Sequence, residues 1–490
     1  MHWSLPDVSA ARVIGVLGAG TMGSGIAQLA CRSGARTLLH DPIPEALQRG
    51  LEKARDGLAK EAARGKLTSE QAAEATDRLQ AVDDLAAFAP CELVIEAVPE
   101  RLELKHELYL QLSEIVGEQC VLATNTSSLL VTAIAAGATH PERVVGMHFF
   151  NPAPIMRLLE VVAGVESSIE ALALATATGE AMGKTVIVAK DGPGFLVNRC
   201  NRPFGLEALR LLQERIADIE TIDRIVRIEG GFRMGPFELM DLVGVDTGLE
   251  ISKSFYEQSF YEPRWRPSPI AARYVAAGLH GRKTGRGYYD YPDGAKTGGT
   301  SYRPEDPEPP PRSADATVQG SGLIVRELHE LAPGTGGGGT QIIVEGLGGI
   351  VEGEPFYAIP PLGLVEVTGE ASEQAFRGLG LHTARVQPSP GGVLGRIVCQ
   401  LINECAFALG EGVGSAADID TGMVLGLNHP RGPLAWADQI GLGNVLAVLD
   451  NLWSEYREER YRPAPALRSL VRDGRLGEET GTGFFEHQAA

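Results

Sequence analysis

The sequence predicts an α/β domain, then an all-α domain, then a degenerate second copy of both. Three observations carry this. Short apolar runs alternate with amphipathic helical patterns through the first third of the 490 residues, the pattern turns helical from Gly194, and the second half repeats segments of the first in the same order.

In chain order, "RVIGVLG", "RTLLHD", "ELVIEA", "CVLATN", "RVVGMHFF", "LLEVVAG" and "KTVIVAKD" read as strands. Several are unbroken apolar runs of the kind buried on both faces of a parallel sheet. Amphipathic stretches such as "RGLEKARDGLAKEAAR" lie between them, so residues 1–190 form a doubly wound domain. Residues 191–291 hold "FLVNRCNRPFGLEALRLLQE", "DIETIDRIVRI" and "ELMDLVGVDTGLEISKSFYE", a helical domain ending near "GRKTGRGYYDY". Residues 292–319, with "RPEDPEPPPRSADA", are too polar and proline-rich to fold alone and read as a linker.

Beyond the linker, "PPLGLVEVTG" echoes "PIMRLLEVVAG", and "GLGLHTARVQPSPGGVLGR" echoes "AMGKTVIVAKDGPGFLVNR". "DIDTGMVLGLNHPRGPLAWADQIGL" echoes "TIDRIVRIEGGFRMGPFELMDLVGV", and "GEETGTGFFEH" echoes "GRKTGRGYYDY". A reduced α/β domain (320–388) and a second helical domain (389–490) follow from this. The reduced unit has "TQIIVEG" for "CELVIEA" but no opening Gly-rich turn.

Composition excludes some classes of function. A net charge of −19 argues against general nucleic-acid or membrane-surface binding. No apolar run is long enough for a transmembrane helix, and the start "MHWSLPDVSAARVIGV" has no signal-peptide pattern. Six scattered Cys form no CxxC pair and no zinc spacing, so they read as reduced thiols of a cytoplasmic protein, and no metal is expected.

"VIGVLGAGTMGSGIAQLA" carries G-x-G-x-x-G as Gly18, Gly20 and Gly23, after an apolar strand and opening a helix. Gly18 permits the tight turn, Gly20 a close approach of pyrophosphate, and Gly23 close helix–strand packing, while Thr21 and Met22 lie at the helix N-terminus facing that group. Asp41, ending the next strand in "LLHD", suits the ribose hydroxyls and repels a 2′-phosphate. The cofactor expected is therefore NAD.

The reaction must come from other polar residues. Ser127 in "ATNTSSL" follows a strand, His148 ends another, Glu160 lies on the next, and Asn198 starts the first long helix of the helical domain. Singly, each has an ordinary structural reading. Together they suit oxidation of a secondary alcohol, with His148 as base, Glu160 fixing its tautomer, and hydroxyl and amide groups holding the substrate oxygen.

With these residues in place the chain resembles the 3-hydroxyacyl-CoA dehydrogenase family, through "GVLGAGTMGSGIA", "VIEAVPERLELK", "TNTSSL", "GMHFFNPAPIMRLLEVV", "DGPGFLVNR" and "MGPFELMDLVGVDT" in family order. The second half is similar to that of the longer bacterial members, of 3-hydroxybutyryl- and 3-hydroxyadipyl-CoA type, in fatty-acid β-oxidation and phenylacetate catabolism. The resemblance implies a Rossmann domain and an acyl-CoA thioester substrate. It makes His148 the base, Glu160 its dyad partner, and Ser127 and Asn198 the holders of the C3 oxygen. It places Glu100, Lys105 and Asn125 near the nicotinamide ribose. Lys53 or Lys60 could reach a CoA phosphate, or be solvated lysines on a helix face.

In the second copy Glu366 keeps the dyad carboxylate, Gly395 replaces Asn198, and no "HFFNP" is present, so one active site per chain is expected. The helical domains imply either a homodimer or an intrachain pseudo-dimer. Two rival functions stand beside the main one: a catalytically silent NAD-binding protein, and a dehydrogenase of free hydroxy acids.

Overall fold

The computed structural model describes residues 4–291, 323–327, 340–344, 348–351, 354–357 and 364–487, and the expected linker at 292–319 lies outside them. The chain divides into two compact units, Met1–Arg199 with Gly412–Leu427, and Cys200–Glu411 with Asn428–Ala490.

The first unit is built on eight strands: β1 (Val13–Leu17), β2 (Arg36–His40), β3 (Leu79–Ala81), β4 (Leu93–Glu96), β5 (Val121–Thr124), β6 (Val144–Phe149), β7 (Leu158–Ala163) and β8 (Thr185–Lys190). Their order is β3-β2-β1-β4-β5-β6-β7-β8. Helices α1 (Thr21–Arg32), α2 (Pro44–Ala63), α3 (Ser69–Arg78), α4 (Leu102–Ile115), α5 (Val131–Ala135) and α6 (Ile169–Ala181) connect them. The strands β4 to β7 are buried along their whole length, which is why they read as unbroken apolar runs. Two cores result. Ile14, Val16, Ile26, Leu29 and Leu39 belong to one, and Leu17, Leu38, Val94, Tyr109 and Leu122 to the other.

The sheet reverses its order between β1 and β4, the switch point where ligands of open α/β sheets bind. Two strands depart from the common direction. β7 runs antiparallel to β6, because residues 150–157 are too short a connection for a crossover helix, and β8 pairs parallel with β7. That connection holds a cis Asn151–Pro152 bond, and it sets His148 directly opposite Glu160 in the register.

A helix of the second copy, residues Ala416–Leu427, also belongs to this unit. Gly422 and Gly426 bring it close to the sheet. A Cβ on Gly422 would lie 2.7 Å from Val197, and one on Gly426 2.7 Å from Leu158. The amide of Lys190 donates to the carbonyl of Val413 at 2.9 Å, tying the segment to β8. Sequence repetition assigns this helix to the second helical domain, whereas its contacts lie on the first sheet.

Helix α7 (Val197–Cys200) lies in the first unit except for its last residue, and the second unit contains α8 (Arg202–Gln213), α9 (Ile219–Ile228), α10 (Pro236–Val243), α11 (Val245–Gln258) and α12 (Pro269–Ala276). A hairpin of β9 (Leu323–Glu327) and β10 (Thr340–Val344) follows. Next comes a four-stranded sheet in the order β11 (Gly348–Val351), β12 (Glu354–Tyr357), β13 (Leu364–Val367) and β14 (His382–Arg385), with α13 (Glu370–Gly378) on it. The second helical copy has α14 (Leu394–Gly410), then α15, the Ala416–Leu427 helix already described, then α16 (Pro433–Ile440), α17 (Leu442–Tyr456) and α18 (Pro465–Arg472).

Helices α8 and α14, equivalent in the two copies, pack on each other. Arg396 is fully buried on α14 and crosses to α8: its Nε donates to Glu207 at 2.5 Å and its Nη1 to Glu214 at 2.8 Å. Tyr461 Oη accepts from Nη2 at 2.7 Å. The sequence echoes have physical counterparts. The carboxylate of Asp241 accepts from the amides of Tyr288 and Tyr289, and that of Asp438 from those of Phe484 and Phe485, each at 2.9 Å. Among the described residues no helix is long and apolar enough to cross a membrane.

Candidate active site

The Gly-rich turn leads from β1 into α1. Gly18 has φ +97°, and a Cβ there would lie 2.7 Å from the carbonyl of Ala97. A Cβ on Gly23 would lie 1.7 Å from the carbonyl of Gly18, so only glycine lets α1 start this close to its strand. Gly20, by contrast, faces open space, with nothing within 4 Å of a built Cβ. It caps α1 without a side-chain bond, so the amides of Thr21, Met22 and Gly23 begin the helix with no intrahelical acceptor. Asp41 follows β2 directly, beside this turn. Its Oδ2 accepts from the amide of Ala19 at 2.8 Å and its Oδ1 from that of Ile43 at 3.0 Å. Each oxygen keeps lone pairs for a ribose hydroxyl. An anion-seeking helix end, an open glycine and a carboxylate two strands from the switch point fit NAD.

The second feature lies across the β6–β7 pair. Nδ1 of His148 is 2.6 Å from Oε2 of Glu160, and Glu160 is fully buried. The other oxygen, Oε1, accepts from the amides of Leu196 and Val197 at 3.2 and 3.0 Å. These amides are aimed inward because Phe195 turns the chain with φ +52°, a strained conformation for a residue with a Cβ. With both carboxylate oxygens engaged, Oε2 calls for a donor, so the proton of a neutral imidazole sits on Nδ1 and the lone pair on Nε2. The ring is held by Phe150 and Phe195, with centroids at 4.6 and 5.6 Å.

Below the loop, Lys184 fastens the proline turn. Its Nζ donates to the carbonyls of Ala153 and Met156 at 2.5 and 2.6 Å. Burial lowers its pKa to about 8. Gly25 of α1 admits the ring of Pro154, whose Cδ would be 2.9 Å from a Cβ there. The turn carrying the imidazole therefore rests on the helix that begins at the Gly-rich loop.

A pocket of about 350 Å³ joins the two features. Its lining includes Met22, Glu100, Asn125, Ser127, His148 and Asn198. Asn125 also accepts from the amide of Phe149 at 2.9 Å, which positions the end of β6. Glu100 accepts from the Ser127 amide at 2.9 Å and from the Thr126 hydroxyl at 2.9 Å, and so shapes the serine loop.

Lys105, expected near the nicotinamide ribose, is 1% exposed and is not itself among the residues that line the pocket. Its Nζ donates to both oxygens of Glu96 at 2.8 Å and sits 3.3 Å from Glu100. Its charge is neutralised inside the domain, so it acts on the pocket through Glu100. Glu96, fully buried at the end of β4, is the partner that sequence reasoning missed, since in "LVIEA" it reads as an ordinary strand end. Leu427, contributed to the lining by α15, was missed as well, because only folding brings it there. Lys53 and Lys60 are both exposed on α2, outside the pocket lining.

In the second copy Glu366 repeats the structural half of this arrangement. It is fully buried and accepts from the amides of Val393 and Leu394 at 2.6 and 2.8 Å. The residue opposite it in the antiparallel register is Tyr357, where the first copy has His148. Burial raises the Glu366 carboxyl to about 7, and burial followed by the Glu366 charge raises the Tyr357 phenol. The phenol is not a base suited to neutral pH, and both Glu366 oxygens are already taken by backbone amides.

Comparison with known proteins follows the same lines. The family profile described as "3-hydroxyacyl-CoA dehydrogenase, NAD binding domain" matches residues 13–192. The one described as "3-hydroxyacyl-CoA dehydrogenase, C-terminal domain" matches twice, at 194–291 and 391–487. A 3-hydroxyadipyl-CoA dehydrogenase of Escherichia coli K12 is 38% identical over 468 residues, 93% of this chain and 97% of that one. A probable 3-hydroxybutyryl-CoA dehydrogenase of Deinococcus radiodurans is 41% identical over 277 residues, 56% of this chain and 99% of that one. The crystal structure of a 3-hydroxybutyryl-CoA dehydrogenase from Escherichia coli K12 superposes with a TM-score of 0.83 at 36% identity, covering 95% of this chain and 99% of that one.

Proposed function

This chain belongs to the 3-hydroxyacyl-CoA dehydrogenase family and is an NAD-dependent oxidoreductase acting on CH–OH groups, and we propose that it oxidises L-3-hydroxyacyl-CoA thioesters to 3-oxoacyl-CoA with His148 as base. The fatty-acid and phenylacetate catabolic routes, in the cytoplasm, are the setting we propose. The six cysteines are all buried and none is in a disulfide, which supports a reducing environment.

The observation that carries the reading is the 2.6 Å contact between His148 and a buried Glu160 whose remaining oxygen is already taken by two amides. The lone pair on Nε2 takes the proton of the C3 hydroxyl. The positive charge that forms on the imidazole is stabilised through Nδ1–H by the carboxylate, which two fixed amides keep in place. The Gly18–Gly23 turn and Asp41 would hold NAD, which when bound would supply the acceptor for the C3 hydride. The Ser127 hydroxyl and the Asn198 amide hold the C3 oxygen as its C–O bond gains double-bond character. Lys105, Glu96 and Glu100 fix the loop that presents Ser127.

The test is steady-state NAD reduction with 3-hydroxybutyryl-CoA and with free 3-hydroxybutyrate. The thioester should be turned over far better than the acid. Comparable kcat/KM values would make the protein a dehydrogenase of free hydroxy acids, and no reduction with either would make it a silent NAD binder. In His148→Ala the rate should fall by orders of magnitude with NAD affinity retained, and near-normal turnover would remove His148 from the mechanism.

A further inference from the structure

The second unit contains a cavity of about 210 Å³ that the chemistry above does not use. Three arginines line it, Arg210, Arg266 and Arg460, together with Gln213 and Ser268. No Asp or Glu is among the described residues on its wall. In a chain of net charge −19, this is a local reversal of sign.

The sequence builds the site from three places. Arg210 and Gln213 lie three residues apart on α8 and so share a face. Arg266 follows the short turn Pro263–Trp265, which is anchored by buried Trp265 packing edge-on against Phe255 at 5.3 Å. Pro267 and Pro269 then restrict the backbone on either side of Ser268. The Ser268 hydroxyl caps α12 by accepting from the amide of Ile270 at 3.2 Å, which leaves its own proton to donate. Arg460 comes from the turn Glu459–Tyr461, whose Tyr461 is fully buried. The first helical copy thus supplies four of these side chains and the second copy supplies Arg460.

The donors outnumber their partners. Nη2 of Arg210 donates to Glu458, and its Nε lies 2.8 Å from Glu214, which leaves Nη1 over. Nε of Arg460 donates to Glu458 at 2.7 Å, which leaves both terminal nitrogens over. Arg460 is only 9% exposed, so those nitrogens depend on what enters the cavity. The Arg266 guanidinium and the Gln213 amide have no partner among the described residues. Every charged group on the wall is a cation with hydrogen-bond donors to spare, which suits an anion.

We infer that this cavity binds a phosphoryl group, as inorganic phosphate or a phosphate monoester, between the two helical copies. A carboxylate has two oxygens in one plane and satisfies one guanidinium fork. A tetrahedral phosphoryl group presents three or four oxygens in different directions and can meet three forks at once. Because the donors come from both copies, the bound anion fastens one to the other and stabilises the folded chain by mass action.

The test is a calorimetric titration of the full chain at constant ionic strength. NAD is kept saturating, so that the Gly-rich turn is not open to the added anion. Inorganic phosphate and glycerol 3-phosphate are the probes, with acetate as the control. At least one phosphoryl probe should bind clearly more tightly than acetate, and the tighter of the two tells free phosphate from an ester. In Arg266→Ala its affinity should fall about 10- to 100-fold, the range for hydrogen bonds to a charged group. Arg266 is exposed and unpaired, so this variant removes no contact of the fold. Arg266→Lys, which keeps the charge and loses the fork, should lie between. The same anion should raise the Tm of the wild type and leave that of Arg266→Ala nearly unmoved. Absence of binding by both phosphoryl probes, acetate binding as tightly as phosphate, or an affinity unchanged in Arg266→Ala overturns the inference.

Discussion

Replacing Glu160 with Gln is the sharpest probe of the dyad, because the fold dictates how the new amide must sit. The Leu196 and Val197 amides both point at the Oε1 position, at 3.2 and 3.0 Å. A Gln oxygen must take that place. Turning the NH2 group there instead would leave two buried donors unsatisfied, at about 1–3 kcal/mol each. The NH2 group therefore faces Nδ1 of His148, 2.6 Å away in the native protein. The imidazole can answer only by presenting its lone pair at Nδ1 and moving its proton to Nε2. In that tautomer it cannot accept the hydroxyl proton of a substrate. A wrong tautomer in this kind of relay costs about 10⁴ in kcat, so we expect a loss of about 10³–10⁴, equivalent to about 4–5.5 kcal/mol of barrier. Glu160→Asp, which keeps a charge, should retain more activity. The assay is single-turnover NAD reduction with 3-hydroxybutyryl-CoA, alongside NAD affinity by fluorescence. A Gln variant within 10-fold of wild type, with NAD bound normally, would refute the tautomer argument.

Other expectations follow from particular contacts. Gly20→Ala places its Cβ in open space and should fold normally while weakening NAD binding at least 10-fold by titration; unchanged affinity would mean the ligand does not approach there. Gly23→Ala, 1.7 Å from the Gly18 carbonyl, should instead lose about 1–3 kcal/mol in urea unfolding, and a neutral result would contradict the packing described. Arg396→Met leaves the buried carboxylate of Glu207 without its cation, while Glu214 keeps Arg210, and should cost about 3 kcal/mol or more, with partial recovery on adding Glu207→Leu. A loss below about 1 kcal/mol would show that water already screens the pair.

His429, buried and 3.0 Å from Oδ1 of Asn201, has its pKa lowered by burial to about 4. Between about pH 6.5 and pH 4 the native form then binds fewer protons than the unfolded chain. Stability should fall as pH drops through that window, by up to about 3 kcal/mol. In His429→Gln the pH dependence of Tm over that range should flatten, and an unchanged slope would assign acid sensitivity elsewhere.

Much of the site was legible because its chemistry is written in local strings. The glycines at 18 and 23 each answer a distance set within a few residues of themselves or by the adjacent strand, and Gly20 leaves open space at the helix start. His148 and Glu160 fall opposite each other because one short connection forces a hairpin. What was not legible depends on partners far apart in sequence. Lys105 reads as a charged helix residue near a cofactor, and only the buried carboxylate of Glu96 shows that its charge is already spoken for. Tyr357 could not be matched to His148 by eye, since the alignment that equates them is a strand register and not a shared residue type. Arg396 looked like any helical arginine, though it is wholly enclosed between the two helical copies.

The helix Ala416–Leu427 gives the doubled chain a property that a single copy would lack. Its two glycines sit against Val197 and Leu158, and its last leucine reaches the pocket with the imidazole. That face of the sheet is covered from the same polypeptide, so its occupancy does not fall on dilution. The two repeats are consequently under different demands. The trailing one carries Tyr357 where the first has His148, yet it keeps the helix that packs on the first sheet. Truncation after residue 291 should therefore damage an active site whose every polar residue survives the cut.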